Sequence, residues 1–98
     1  DAGIGGAAAI EVGKRLKELA KKHQVIVVTH LPQVAAFADS HLKVEKSAKG
    51  NVTKASVYEL KDEEKLSEIA RMMAGMQESS SALEHAKELI GMSKTVSL

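Results

Sequence analysis

The sequence predicts an α/β chain with one buried parallel strand, a β-hairpin and flanking helices. Three observations carry this. Residues 25–28 are Val-Ile-Val-Val, a β-branched run without alternation, which suits a parallel strand covered on both faces. Two further strand-like runs flank a turn signal, Ala48-Lys49-Gly50-Asn51, and read as a hairpin. Apolar residues recur at helical spacing in the N-terminal part and twice in the C-terminal third.

The elements follow in order. Residues 1–6 are a Gly-rich loop, Asp1-Ala2-Gly3-Ile4-Gly5-Gly6. A helix is expected over 7–22, with Ala9, Val12, Leu16, Leu19 and Ala20 as its apolar stripe. The strand at 25–28 ends in Thr29-His30. Pro32 then stands where a helix tolerates a missing N–H, so a short helix is expected over 33–38. The hairpin is expected from strands at 42–45 and 53–60. Asp62, Glu63 and Glu64 suit the positive end of the next helix, whose buried face is Leu66, Ile69, Ala70 and Met73 and whose cap is Gly75. Ser81-Ala82-Leu83-Glu84 has the form of a capping box opening a last helix. Leu83, Ala86, Leu89 and Ile90 face inward, Gly91 stops the helix, and the tail from Ser93 is expected to fray.

A parallel strand needs a parallel neighbour, and residues 25–28 have none elsewhere in this sequence. The chain therefore reads as part of a longer protein, in keeping with its start at Asp1. For the isolated chain, self-association or loose packing is expected, because an apolar strand edge is a template for another chain. The competing outcome is that the hairpin closes over that edge.

Composition narrows the function. Fourteen Lys and Arg against 13 acidic residues leave a net charge of +1, which gives no strong global attraction to DNA or to an anionic membrane. One Tyr, one Phe and no Trp provide no stacking platform for single-stranded bases. The lack of Cys excludes disulfides and thiolate metal sites and fits a reducing cytoplasm. His23, His41 and His85 have no partners at metal-ligand spacing, so no metal site is expected. No apolar run approaches the ~20 residues of a membrane span. The basic stretch 14–22 could touch phosphate, but Glu11 and Glu18 interrupt the charge and a solvated helix face explains it more simply. Met72, Met73 and Met76 read as core fillers.

Two constellations could carry chemistry. The Gly-rich loop opens a helix, where backbone amides and the helix dipole can cradle an anion. It lacks the Lys-Ser/Thr of a phosphate-binding loop, and taken alone a plain tight loop entering a helix explains it more simply. His30 lies just beyond the end of the apolar run, where ligands of open α/β sheets bind. There it could meet a phosphate or position a water, or it could simply bond to backbone.

Taken together, the two constellations resemble the RecN-type DNA repair ATPases, which have ABC/SMC-like heads. The resemblance is carried by Asp-Ala-Gly-Ile-Gly-Gly at 1–6, Val-Thr-His-Leu-Pro-Gln-Val-Ala at 28–35, Ala38-Asp39, Glu-Ile-Ala-Arg-Met-Met-Ala-Gly at 68–75 and His-Ala-Lys-Glu-Leu-Ile at 85–90. It runs almost end to end and is weakest over 46–56. It implies that residues 1–98 are the C-terminal lobe of an ABC-type P-loop ATPase head. Residues 1–6 would be the D-loop, 25–30 a strand with the switch histidine, 42–60 a hairpin and 62–91 two closing helices. Asp1 and His30 would be the catalytic residues of the complete ATPase, and Asp1, Gly3, Gly5, Gly6 and His30 its contacts to nucleotide. ATP and Mg²⁺ would be cofactors of the complete protein. The partners implied are the rest of the head, a second head in a homodimer, and DNA reached through the parent protein, in a bacterial cytoplasm. The role implied is DNA double-strand break repair and recombination.

The phosphate-gripping loop, the signature motif and the Asp-Glu pair that holds Mg²⁺ are not in this sequence. No ATP hydrolysis is therefore expected of the isolated chain. Two other readings stay open: a stand-alone anion- or nucleotide-binding module, and an association module whose sheet a partner completes.

Overall fold

The computed structural model describes residues 6–74 and 80–96. The elements are α1 (Gly6–Leu19), α2 (Pro32–Ala35), β1 (His41–Lys49), β2 (Val52–Leu60), α3 (Glu63–Ala74) and α4 (Ser80–Lys94). Helices and one two-stranded antiparallel sheet make the mixed α/β chain that the sequence predicts.

The core is small and rich in alanine. Ala35, Ala36 and Phe37 enter it from α2 and the turn that follows. Ile69 and Ala70 enter from α3, Ala82, Ala86 and Leu89 from α4, and Val96 from beyond α4. Ile69 and Leu89 are fully buried, and each such side chain contributes roughly 1.5–3 kcal/mol. Alanines at the contact faces let the helices approach closely, so the one Phe fills the space that remains. Leu66, Met72, Met73, Leu83 and Ile90 pack around this centre. The predicted faces of α3 and α4 are thus the faces observed.

The buried parallel strand at 25–28 is not formed. Residues 24–31 carry no ladder, Ile26 is 83% exposed and Val28 99% exposed. The physical reason is the one anticipated: nothing in the described chain offers a parallel neighbour or a second cover. Nor does the hairpin close over this segment, because β1 pairs with β2 alone.

The hairpin is longer than expected. β1 and β2 pair in register from His41↔Leu60 to Lys49↔Val52, leaving a two-residue loop of Gly50 and Asn51. Gly50 has φ 61° and Asn51 has no positive φ, the pattern of a type II′ turn, which needs glycine at its first loop position. Leu42, Val44 and Val57 share one face of the ribbon, and all three are more than half exposed.

Helix ends also differ from expectation. α1 ends at Leu19, three residues early, and its contact face runs through Ala9 and Gly13 while Val12 and Leu19 are about half exposed. The cause is Phe37. A Cβ on Gly13 would lie 2.6 Å from Phe37 Cδ2 and 2.9 Å from the Gln33 carbonyl oxygen, so only glycine permits this crossing of α1 over α2. The short helix spans Pro32–Ala35 and continues as turns through Phe37. Pro32 is its first residue, and Ala36 N–H donates to the Pro32 carbonyl. Asp62 precedes α3 with φ 51°, a left-handed conformation that Asp tolerates better than most residues. α4 begins at Ser80, so Ser81 lies inside the helix and is not its cap. Gly91 does not stop the helix, which runs to Lys94, and the described part of the tail packs, with Val96 only 9% exposed. The predicted cap Gly75 and the core filler Met76 lie outside the described residues.

Candidate functional site at the end of the extended segment

The candidate site is built where the apolar segment at 24–31 turns into α2. Thr29 Oγ1 accepts a hydrogen bond from the Leu31 N–H at 3.0 Å, which sets the bend. Leu31 is extended, as a residue before proline must be, with φ −94° and ψ 115°. Pro32 is buried and anchors the bend to the core side. Between these two fixed points His30 is exposed to solvent.

The start of α1 approaches the same corner. Gly6 is its first residue, and a Cβ there would sit 3.9 Å from Gln33 Nε2. Of the residues assigned by resemblance to nucleotide, the structure thus brings Gly6 and the stretch just after His30 together. Asp1, Gly3 and Gly5 lie outside the described residues. Among the described residues no group of three or more His, Asp or Glu could hold a metal ion such as Mg²⁺. Among the described residues this corner holds the solvent-exposed His30 and, beside Gln33, the first turn of α1.

A charged network that sequence reasoning did not single out ties the elements around α2 together. Lys17 on α1 reaches Asp39 at 2.8 Å, and Lys65 on α3 donates to the Ala38 carbonyl at 2.8 Å. These two contacts tie α1 and α3 to the loop after α2. Burial pushes the Lys65 ammonium below its usual range, Lys17 and Lys94 add to this, and Asp39 opposes it. Glu68 is buried and receives two hydrogen bonds from Arg71, at 2.8 and 2.7 Å, and an ion pair from Lys43 on β1 at 3.2 Å. The Arg71 bonds foremost hold its carboxylate below the usual range. His41 lies beside this pair; burial first, then Lys65, lower its pKa, and its Nδ1 is buried with no hydrogen-bond partner among the described residues. The sequence signal was the i, i+3 spacing of Glu68 and Arg71, which alone suggests only a surface pair. The network has the character of a fastener: it fixes the hairpin base and α2 against α3.

No family model matches the sequence. Comparison with curated proteins does identify relatives, and their class is that of DNA repair proteins. Three of these relatives each bear the name DNA repair protein RecN. The protein of Streptomyces coelicolor is 56% identical over 90 residues, 92% of this chain and 16% of the relative. That of Deinococcus radiodurans is 54% identical over 90 residues, again 92% and 16%. That of Mycobacterium tuberculosis is 51% identical over 90 residues, 92% and 15%. The chain is RecN-like in sequence over nine-tenths of its length and spans about one sixth of the length of the curated relatives it matches. The resemblance drawn from the motifs is therefore borne out.

Proposed function

We propose that this chain is the C-terminal segment of a RecN-like DNA repair ATPase and that it supplies the D-loop and the switch histidine to ATP-dependent head engagement. The observation that carries this reading is the exposed apolar run at 25–28 that leads into Thr29-His30, within a sequence 51–56% identical to RecN proteins. A run such as Val-Ile-Val-Val does not stay in water when a sheet is available to it, so the rest of the head is its natural cover. Docked there, His30 would stand at the carboxyl end of a sheet strand, facing the nucleotide. ATP with its Mg²⁺ supplies the phosphoryl group and most of the charge neutralisation; the imidazole donates one hydrogen bond toward the γ-phosphate. Asp1, Gly3, Gly5 and Gly6 would shape the loop that meets the second head of a homodimer.

The test is His30→Ala in the whole protein. Loss of one such electrostatic contact is expected to lower ATP turnover on the order of 10²-fold while ATP binding changes far less. Single-turnover hydrolysis and nucleotide-binding titrations separate the two. Unchanged turnover in a folded variant would return His30 to a structural role.

A further inference from the structure

The apolar segment and the Gly-rich corner are taken up by the proposed function. The hairpin tip is not. Between Glu45 and Glu59 the sequence holds no acidic residue, yet it holds Lys46, Lys49 and Lys54. All three are exposed, and among the described residues none lies in an ion pair. The register puts Lys49 and Lys54 on one face of the ribbon, where they line a shallow depression with Ser47 and Val52, and puts Lys46 on the opposite face. The nine-residue strands span about 27–30 Å. Their outer halves are exposed on both faces.

We propose that this hairpin tip contacts the phosphate backbone of duplex DNA, through Lys46, Lys49 and Lys54. The inference rests on the DNA repair reading and names a contact surface for it. A two-stranded ribbon fits a major groove about 12 Å wide, and phosphates line both walls of that groove, so cations on both ribbon faces find partners. The chemistry favours duplex over single strand, because the tip has no aromatic side chain on which a base could stack. Lysine, a flexible point charge, suits contacts without sequence preference. A net charge of +1 for the chain does not oppose this, because the three cations are gathered toward one end of the ribbon, where Glu45 is the nearest acidic residue in sequence.

The experiment uses the whole protein and measures binding to a mixed-sequence duplex over a range of salt. Substituting Lys46→Gln, Lys49→Gln and Lys54→Gln together should weaken binding at least tenfold at low salt. The slope of log K against log salt should shrink by about 0.9 for each lysine. A control carries the same charge change on α1 and the turn after it, with Lys14→Gln, Lys21→Gln and Lys22→Gln, and should lose much less. The Arg triple at the three hairpin positions should bind as the parent does, which shows that the ribbon still folds. An unchanged slope in the Gln triple, with turnover intact, overturns the hairpin contact and leaves the ATPase reading standing. An equal loss in the α1 control also overturns it, since charge alone would then explain the effect. So does a Gln triple that loses binding only to vesicles of anionic phospholipid. If the parent protein binds no duplex at any salt while turning over ATP, the hairpin contact fails and the head assignment survives.

Discussion

At the residue scale the telling positions are Glu68 and His41, which neither motif nor spacing announces. Glu68 is a buried carboxylate that Arg71 and Lys43 keep ionised, and His41 is an imidazole that its surroundings keep neutral. Both folded-state pKa values lie below those of the unfolded chain. The unfolded state therefore binds more protons as pH falls, and both groups make stability fall on acidification. For His41 the loss begins below its ordinary value of 6.5; for Glu68 it begins below 4.5. The urea midpoint should drop between pH 7.5 and 5.5, and His41→Gln should flatten that part of the profile. Glu68→Gln should leave that part in place and flatten the part below pH 4.5. Parallel profiles for parent and His41→Gln would show that the histidine is solvated in solution. The proposal for His30, by contrast, starts from a local pattern, its position after a β-branched run and before Leu-Pro. The role of Glu68 depends on Lys43, 25 residues away on another element, and no local pattern contains that.

At the element scale the crossing of α1 over α2 is the clearest departure from sequence reasoning. Helical spacing predicts a stripe through Val12 and Leu19, and the observed contact runs through Gly13. Periodicity weighs side chains by their hydrophobicity, and glycine has no side chain to weigh. The close approach of Phe37 is visible only in three dimensions. Gly13→Ala places a Cβ 2.9 Å from a backbone oxygen that cannot swing away, and overpacking of this kind costs about 1–3 kcal/mol. A melting temperature lowered by several degrees is expected, although alanine is the better helix former by roughly 1 kcal/mol. A variant as stable as the parent would mean that α1 shifts freely along α2. The faces of α3 and α4 were legible because both are ordinary amphipathic helices whose apolar residues meet each other. Their ends were less so. Gly91 lies within α4, where the packing of Leu89 and Val96 on either side of it outweighs its weak helix propensity.

At the scale of the whole molecule, the described residues turn apolar surface toward solvent at residues 26–28 and on the face of the hairpin bearing Leu42, Val44 and Val57. The sequence called for a strand buried on both faces at the first and for a neighbour the described chain lacks; the strand is not formed and the run is exposed instead. The sequence did not foretell the second, because the alternation of the hairpin strands is broken by lysines and serines. The proposed function accounts for the first: the sheet of the complete head would take in residues 25–28. Amide hydrogen exchange across residues 25–28, in the 98-residue chain and in the whole protein, tests it most directly. Fast exchange in the separate chain as a monomer and protection by several orders of magnitude in the whole protein are the predicted results. Fast exchange in both, or strong protection in a monomeric separate chain, would contradict it.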